Sequence, residues 1–373
     1  MAKREILILS SWYPTKSKPF LGNFVVRHAQ LLNKEHNITV INTIPSDTSK
    51  KLFLEENNRY GYRELQVIHP RGKNLYSKKR WQKKALKLAF LETNNFDLII
   101  GHVLLPKGLQ FVVSKKNFEC PLILVEHGSY YREGVRKNLN RFQEFILKYT
   151  RKYFDEIIAV SHFLKQDIQA DFPIHEINVI GNHIDTVSFN IGSQHANEKT
   201  EFLHISTLDR ATKNPKGILE ACDLLLKDVS NFHVTIICDE DYTEWMHETD
   251  KQGLSKNISF EGPKQWKDLV TDYQKSDAFI LNSDYESFSI VLAEACATGT
   301  PVISTPVGIA YNLDSNLGYQ TECNNPISLK EAMLMIIQKQ KKFSPDDIRK
   351  QALQYSEQSI LEQWNKTINK HVK

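Results

Sequence analysis

Two carboxylates eight residues apart, Glu286 and Glu294, bracket the start of an apolar helix in the stretch Asn282 to Gly308, NSDYESFSIVLAEACATGTPVISTPVG. The preceding Asp277 to Leu281 is a short apolar run of strand type. Ser283 to Ser287 is turn-like, and Ser289 to Thr298 carries helix formers until Gly299 stops it. The order is therefore strand, loop, helix, with TPVIST as the next strand. Free backbone N–H groups at such a helix start suit a phosphate. Glu294 has no Lys or Arg three or four residues away on its own helix, so its partner is expected outside that helix. A carboxylate that finds no cation can be satisfied by donors such as a sugar diol. The alternative is a helix carboxylate that simply faces solvent, and pattern alone leaves both open.

At 373 residues the chain exceeds what one core usually serves, so two domains of roughly 150 to 200 residues are expected. A hydrophobic fraction of 41% and a charged fraction of 25% are those of an ordinary globular protein. No stretch approaches the ~20 apolar residues of a spanning helix, and the start MAKREILILSSWYP has too short an apolar run for a signal peptide. A cytoplasmic location follows as the expectation. Cys120, Cys222, Cys238, Cys296 and Cys323 are widely spaced with no C-x-x-C pair, which fits reduced, mostly core thiols and argues against a disulfide framework or a zinc site.

The net charge of +4 is mild but unevenly spread. Lys73 to Lys87 reads KNLYSKKRWQKKALK, and Arg132 to Lys152 interleaves basic residues with Phe142, Phe145 and Tyr149 behind Tyr130 and Tyr131. Such segments suit nucleic acid, an anionic membrane or a phosphorylated carrier, or are solvated helix faces. No recognised nucleic-acid module accompanies them, so no nucleic-acid partner is expected.

In the first half, strand-like runs (EILILSS, NITVINTI, LQVIHP, FDLIIGH, PLILVEHG, EIIAVS, INVIGN) alternate with helical patterns such as FVVRHAQLLNKE and RWQKKALKLAFLET. The alternation predicts parallel strands joined by right-handed crossovers. It fades in the polar stretch Asp185 to Thr200 and resumes with EFLHIST, FHVTIICD, NISFEGP, DAFILN and TPVIST. Two Rossmann-like α/β domains facing one another across an interdomain cleft are expected, over residues 1–185 and 201–355, with 186–200 as linker and a helical tail. Neither half carries G-x-G-x-x-G or a P-loop, which speaks against a dinucleotide dehydrogenase or a P-loop NTPase. Ligands of open α/β sheets bind beyond the carboxyl ends of the strands, where the motif above falls.

The string ESFSIVLAEACATGTPVISTPVG resembles the E-x7-E signature of retaining, GT-B-fold glycosyltransferases of family 4. The resemblance implies that Glu286 contacts the donor sugar, that the amides of Ser287, Phe288 and Ser289 meet the diphosphate, and that Glu294 binds the ribose hydroxyls. Ser287 and Ser289 stand where glycines are common in that family, and Ile309 where a second glycine usually follows Gly308. FLHISTLDRATKNPKGILEA resembles the family segment whose Arg and Lys neutralise the diphosphate. Lys213 matches the Lys. Position 207, where Arg is usual, is Thr207, so either Arg210 takes that role or Lys213 and the helix amides hold the diphosphate, with Lys216 a weaker candidate. Fixed positive charge there would stabilise a departing diphosphate more than the ground state.

In the first half, SWYPTKSKPFLGNFVVRHAQLL resembles the family's first loop and helix, which puts Gly22 at the close backbone approach to the donor phosphate and Asn23 on the acceptor side. EHGSYY places His127 where the family has an active-site His near the donor sugar, and GHVLLPKG places His102 at another strand end. VIGNHIDTVSF resembles the family's hinge, with Gly181 and His183 departing from it and Asn182 and Asp185 expected to be structural. The tail helix, 356–373, is implied to complete the first domain.

Asp239, Glu240 and Asp241 form a D-x-D string of the kind that holds a divalent cation in another glycosyltransferase fold. The family resembled uses no bound metal, so no metal and no cofactor are expected beyond a nucleotide diphosphate sugar as donor substrate. The expected activity is a metal-independent, retaining hexosyltransferase acting on a glycan or lipid-linked acceptor in cell-surface polysaccharide synthesis, cytoplasmic or on the inner face of the membrane. A nucleotide-sugar epimerase of the same fold, or a non-catalytic nucleotide-sugar-binding partner protein, are the alternatives.

Overall fold

A computed structural model describes residues 3–173, 175–192 and 198–372. The chain divides into two compact units, Met1–His183 with Ile360–Lys373, and Ile184–Ser359.

The first unit is built on an eight-stranded sheet. Its strands are β1 (Glu5–Ser10), β2 (Asn37–Ser46), β3 (Phe53–Asn57), β4 (Arg63–Pro70), β5 (Leu98–His102), β6 (Leu122–Glu126), β7 (Glu156–Ala159) and β8 (Ile177–Val179). They lie in the order β3-β4-β2-β1-β5-β6-β7-β8. The central strands are continuous apolar runs because helices cover both faces, and every residue of β5 and β6 is buried. All pairings are parallel except β3 with β4. The sequence FLEEN of β3 carries too much charge to read as a sheet strand. It forms as an antiparallel edge, where charged side chains face solvent and Glu56 meets Arg63 at 2.8 Å.

The helix Asn23–Leu32 follows Gly22, whose φ of +76° and whose missing Cβ, which would stand 2.5 Å from the Trp12 carbonyl oxygen, both require glycine. The basic helix Leu75–Leu91 opens with a capping box between Asn74 and Ser77. From Ile360 onward the last helix, Glu357–His371, packs into this unit. It buries Ile360, Trp364 and Ile368, His36 Nε2 donates to Asn365 Oδ1 at 3.1 Å, and buried Glu156 receives Lys370 at 2.9 Å and His371 at 2.6 Å.

The second unit has six parallel strands, β9 (Thr200–Ile205), β10 (Phe232–Ile237), β11 (Ile258–Glu261), β12 (Ala278–Leu281), β13 (Val302–Ser304) and β14 (Gly318–Gln320). Their order is β11-β10-β9-β12-β13-β14. Three-residue β14 is too short to leave a pattern in the sequence. Phe202, Ile218, Leu225, Phe232 and Ile280 belong to the buried core between this sheet and its helices. Part of the expected linker, 193–197, lies outside the described residues. Just before it, Phe189 is fully buried and stacks on Trp266 at 5.8 Å, and Arg349 donates to the carbonyls of Phe189 at 2.6 Å and Thr186 at 2.7 Å. This stretch is therefore packed into the second unit. The two parallel-rich α/β sheets are the architecture expected from the alternating pattern.

Candidate active site

Because β9 and β12 are neighbours, the loops that leave their carboxyl ends meet. Asp284 N donates to Thr212 O at 2.8 Å, and Asn282 Nδ2 donates to Asn214 O at 3.1 Å. Asn214, at φ 45°, caps the helix Pro215–Leu226 by accepting from Gly217 N at 3.1 Å. This stitching brings Lys213 Nζ within 2.5 Å of Glu286 Oε1, with side-chain exposures of only 21% and 12%. Ser283 Oγ donates to the same oxygen at 2.8 Å. The other basic candidates are engaged elsewhere. Arg210 pairs with Glu244 at 2.5 Å and lies 4.4 Å over the Trp245 ring, while Lys216 pairs with Glu220 at 2.9 Å.

The helix Ile290–Ala297 joins β12 to β13, so its N-terminus stands at the same carboxyl edge. Ser289 caps it in a left-handed conformation, φ 77° and ψ 82°, and its buried Oγ has no hydrogen-bond partner among the described residues. Phe288 is buried and packs edge-on against Tyr355 at 5.0 Å. Its side chain anchors the loop. At Gly308, φ +55°, a Cβ would stand 2.4 Å from Phe288 O, and Ile309 N donates to that oxygen at 2.9 Å. Glu294 is 2% exposed, not a solvent-facing residue, and receives the Tyr273 hydroxyl from the helix Leu269–Lys275 at 3.3 Å. Its partner does lie outside its own helix.

Sequence reasoning passed over His204, which sits at the end of β9 beneath the Lys213 loop. Its Nδ1 donates to Ile280 O at 2.9 Å and its Nε2 accepts from Ser206 Oγ at 2.8 Å. Burial pushes it down to about 4, so it stays neutral and serves as a fixed strut. A His between apolar strand residues carries no local signal of that role. In the acidic string, Asp241 Oδ1 accepts from Thr243 N at 2.9 Å and Thr243 Oγ1 at 2.7 Å. Among the described residues no group of three or more His, Cys, Asp and Glu stands together to hold a metal.

In the first unit, His102 ends β5 and His127 follows β6, and the parallel pairing of these strands brings the rings together. His102 Nδ1 lies 3.1 Å from His127 Nε2, and His102 Nε2 lies 2.8 Å from His28 Nδ1 on the helix Asn23–Leu32. Burial pushes all three well below the ordinary histidine value. Phe24 stacks on His127 with centroids 4.1 Å apart, and Asn23 beside it is exposed. Beneath His127, buried Glu126 accepts from the N–H groups of His127 and Gly128 at 2.8 Å each and Leu104 at 3.2 Å. It also accepts from the hydroxyls of Tyr130 at 2.7 Å and Tyr131 at 2.8 Å. Burial pushes its pKa up and these donors oppose the rise. His28 and Glu126 escaped sequence reasoning because each lies inside a run that reads simply as helix or strand.

The comparisons with known proteins agree with this architecture. The Glycosyltransferase Family 4 model matches residues 21–188, and the model for glycosyl transferases group 1 matches residues 189–355. An uncharacterised glycosyltransferase of Methanocaldococcus jannaschii is 27% identical over 66% of this chain and 67% of its own length. A D-inositol 3-phosphate glycosyltransferase of Corynebacterium diphtheriae is 30% identical over 34% of this chain, which spans 31% of that relative. Among solved structures, a sucrose-phosphate synthase from Thermosynechococcus elongatus superimposes with a TM-score of 0.75 at 14% identity over 99% of both chains. A glycosyltransferase from Rickettsia africae does so at 0.74 and 18% identity over 100% of both, and Anabaena HepE in complex with UDP at 0.73 and 14%, over 98% of this chain and 100% of that one. The fold is that of the GT-B glycosyltransferases. The chain belongs to glycosyltransferase family 4.

Proposed function

We propose that the protein is a retaining, metal-independent hexosyltransferase that takes a nucleoside diphosphate sugar as donor and a glycan or lipid-linked acceptor in cell-surface polysaccharide synthesis. The observation that carries this reading is the Lys213–Glu286 contact of 2.5 Å beside the N-terminus of Ile290–Ala297. A cation and a helix N-terminus side by side suit a diphosphate, and the adjacent carboxylate suits sugar hydroxyls. In this assignment Lys213 and the backbone of Ser287, Phe288 and Ser289 hold the diphosphate, Glu294 takes the ribose hydroxyls, and Glu286 orients the sugar. The first unit supplies the acceptor side and His127, with Gly22 allowing close backbone approach.

No side chain is placed as a covalent nucleophile. The bond from the anomeric carbon to the diphosphate oxygen breaks while the acceptor oxygen bonds to the same face of that carbon. The acceptor's hydroxyl proton passes to the departing diphosphate, whose growing charge Lys213 offsets. The complexes of Anabaena HepE with UDP and glucose support a nucleotide-sugar donor for this fold. Inner-face membrane attachment is part of the proposal. Lys79 Nζ lies 3.6 Å over the Phe142 ring, Phe142, Phe145 and Tyr149 stack in series, and Phe145 is 48% exposed. Among the described residues no helix is long and apolar enough to cross a membrane.

The test is a panel of nucleotide sugars with and without candidate acceptors, read by free nucleotide release and by the anomeric proton coupling of the product. Acceptor-dependent release with retained configuration is expected. Epimer formed without acceptor, or binding without turnover across the panel, would overturn the transferase assignment.

A further inference from the structure

We propose that His28 and His102 are positioning residues that fix the tautomer of His127, with Trp364 setting the direction of the chain, so that His127 Nδ1 is held as a hydrogen-bond acceptor for a substrate hydroxyl. The last clause rests on the assignment of His127 to the substrate made above. The geometry allows few choices. His28 Nδ1 and His102 Nε2 are 2.8 Å apart, and His102 Nδ1 and His127 Nε2 are 3.1 Å apart. A neutral imidazole has one N–H and one lone pair, and each contact needs one of each. Burial keeps all three rings uncharged. Three neutral rings then have two consistent arrangements, all Nε2–H or all Nδ1–H.

The far end of the chain selects between them. His28 Nε2 is buried with no hydrogen-bond partner among the described residues, and the His28 ring lies 4.4 Å from the Trp364 ring, centroid to centroid, at 43°. A bare lone pair gains nothing from an aromatic face, which is electron-rich, whereas an N–H is attracted to it. The all-Nε2–H arrangement follows. His28 Nε2–H is then the buried group without an acceptor, on a ring packed against Trp364, His102 Nε2–H donates to His28 Nδ1, and His127 Nε2–H donates to His102 Nδ1. His127 Nδ1 is left with its lone pair. It has no protein partner among the described residues and is not one of the enclosed polar atoms. It is thus available to accept from a sugar hydroxyl, and it repels a carboxylate or phosphate at the same position. Phe24, stacked on the ring at 4.1 Å, holds its plane.

The experiment is a long-range proton–nitrogen NMR spectrum of the full chain labelled with 13C and 15N, with the three rings assigned by through-bond correlation to their own backbone signals. Pyrrole-type Nε2 and pyridine-type Nδ1 signals are expected for His28, His102 and His127. A wild-type spectrum with His127 in the Nδ1–H form, or protonated near neutral pH, overturns the relay, and this measurement needs no variant to fold. Trp364→Leu should shift the His127 signals toward mixed tautomers, and His28→Leu should lower kcat/KM by roughly tenfold, the scale of one lost hydrogen bond. Unshifted His127 signals in a folded Trp364→Leu protein overturn the direction-setting role. If the tautomers are as stated while His127→Ala keeps full activity, the relay stands and the substrate role of His127 is what fails.

Discussion

Lys213 Nζ and Glu286 Oε1 stand 2.5 Å apart, joining the loop after β9 to the loop after β12. The cation assigned to the diphosphate is thus held by the carboxylate assigned to the sugar, a contact that uses one of the ammonium N–H donors. Lys213→Met should lower kcat by roughly a hundredfold, the usual scale for losing one fixed transition-state donor. Glu286→Gln should reduce kcat more than it raises the nucleotide Kd. Steady-state kinetics with calorimetric binding would check both, and unchanged kcat in both variants would remove the pair from the chemistry.

Glu294→Gln should weaken nucleoside diphosphate binding by about 1.5 to 3 kcal/mol, because a charged acceptor for the ribose hydroxyls becomes a neutral amide. Tyr273→Phe removes the 3.3 Å hydroxyl contact to Glu294, leaves the carboxylate charged and should have the smaller effect. Titration calorimetry with the free nucleotide separates the two. Equal affinity of wild type and Glu294→Gln would make the buried carboxylate a packing feature.

Activity should survive a chelator, since Lys213 and the helix amides are assigned to the diphosphate. Asp241 holds Thr243 N and Thr243 Oγ1 at the start of the helix Thr243–Lys251. Asp241→Ala should therefore lower the melting temperature slightly and leave kcat alone. Loss of activity in chelator, restored by a divalent ion, would show a metal requirement.

Lys107 Nζ is placed against Thr43 O at 2.9 Å and Asn42 Oδ1 at 3.5 Å, and burial pushes its pKa down to about 8. Its folded value lies below its unfolded one, so between about 8 and about 10.4 the unfolded chain holds the extra proton and stability from this group rises with pH. Lys107→Met should flatten that rise. Denaturant midpoints at about pH 7.5 and about pH 10 test the sign, and a parallel slope in the variant would assign the rise to other groups.

Changing Lys78, Lys79, Arg80, Lys83 and Lys84 together to Gln should weaken binding to anionic vesicles, because each exposed basic residue near such a surface contributes on the order of 1 kcal/mol. Binding by the wild type should fall as salt is raised. Vesicle sedimentation at two ionic strengths is the measurement. Equal binding by both proteins would leave the helix Leu75–Leu91 as a solvated face and favour a soluble acceptor.

The sequence by itself determined the strands that alternate with helices, since buried parallel strands need continuous apolar runs, as in residues 6–9 of β1 and 98–100 of β5. It marked Glu294, an acidic residue on an apolar helix with no Lys or Arg three or four residues away, and the resemblance of the surrounding motifs to the family marked Glu286 and Lys213. It did not reveal β3 and β14, whose edge positions need neither strict apolar alternation nor length. Only the tertiary structure decided that Lys213, and not Arg210, meets Glu286, because strand order places the β9 and β12 loops side by side while Glu244 and Trp245 hold Arg210. Only it brought His28, His102 and His127 into one line beneath Trp364. These residues are separated by 74, 25 and more positions in the chain, and long-range contact of that kind leaves no periodic trace along a sequence, since it is set by sheet order and helix packing rather than by neighbours.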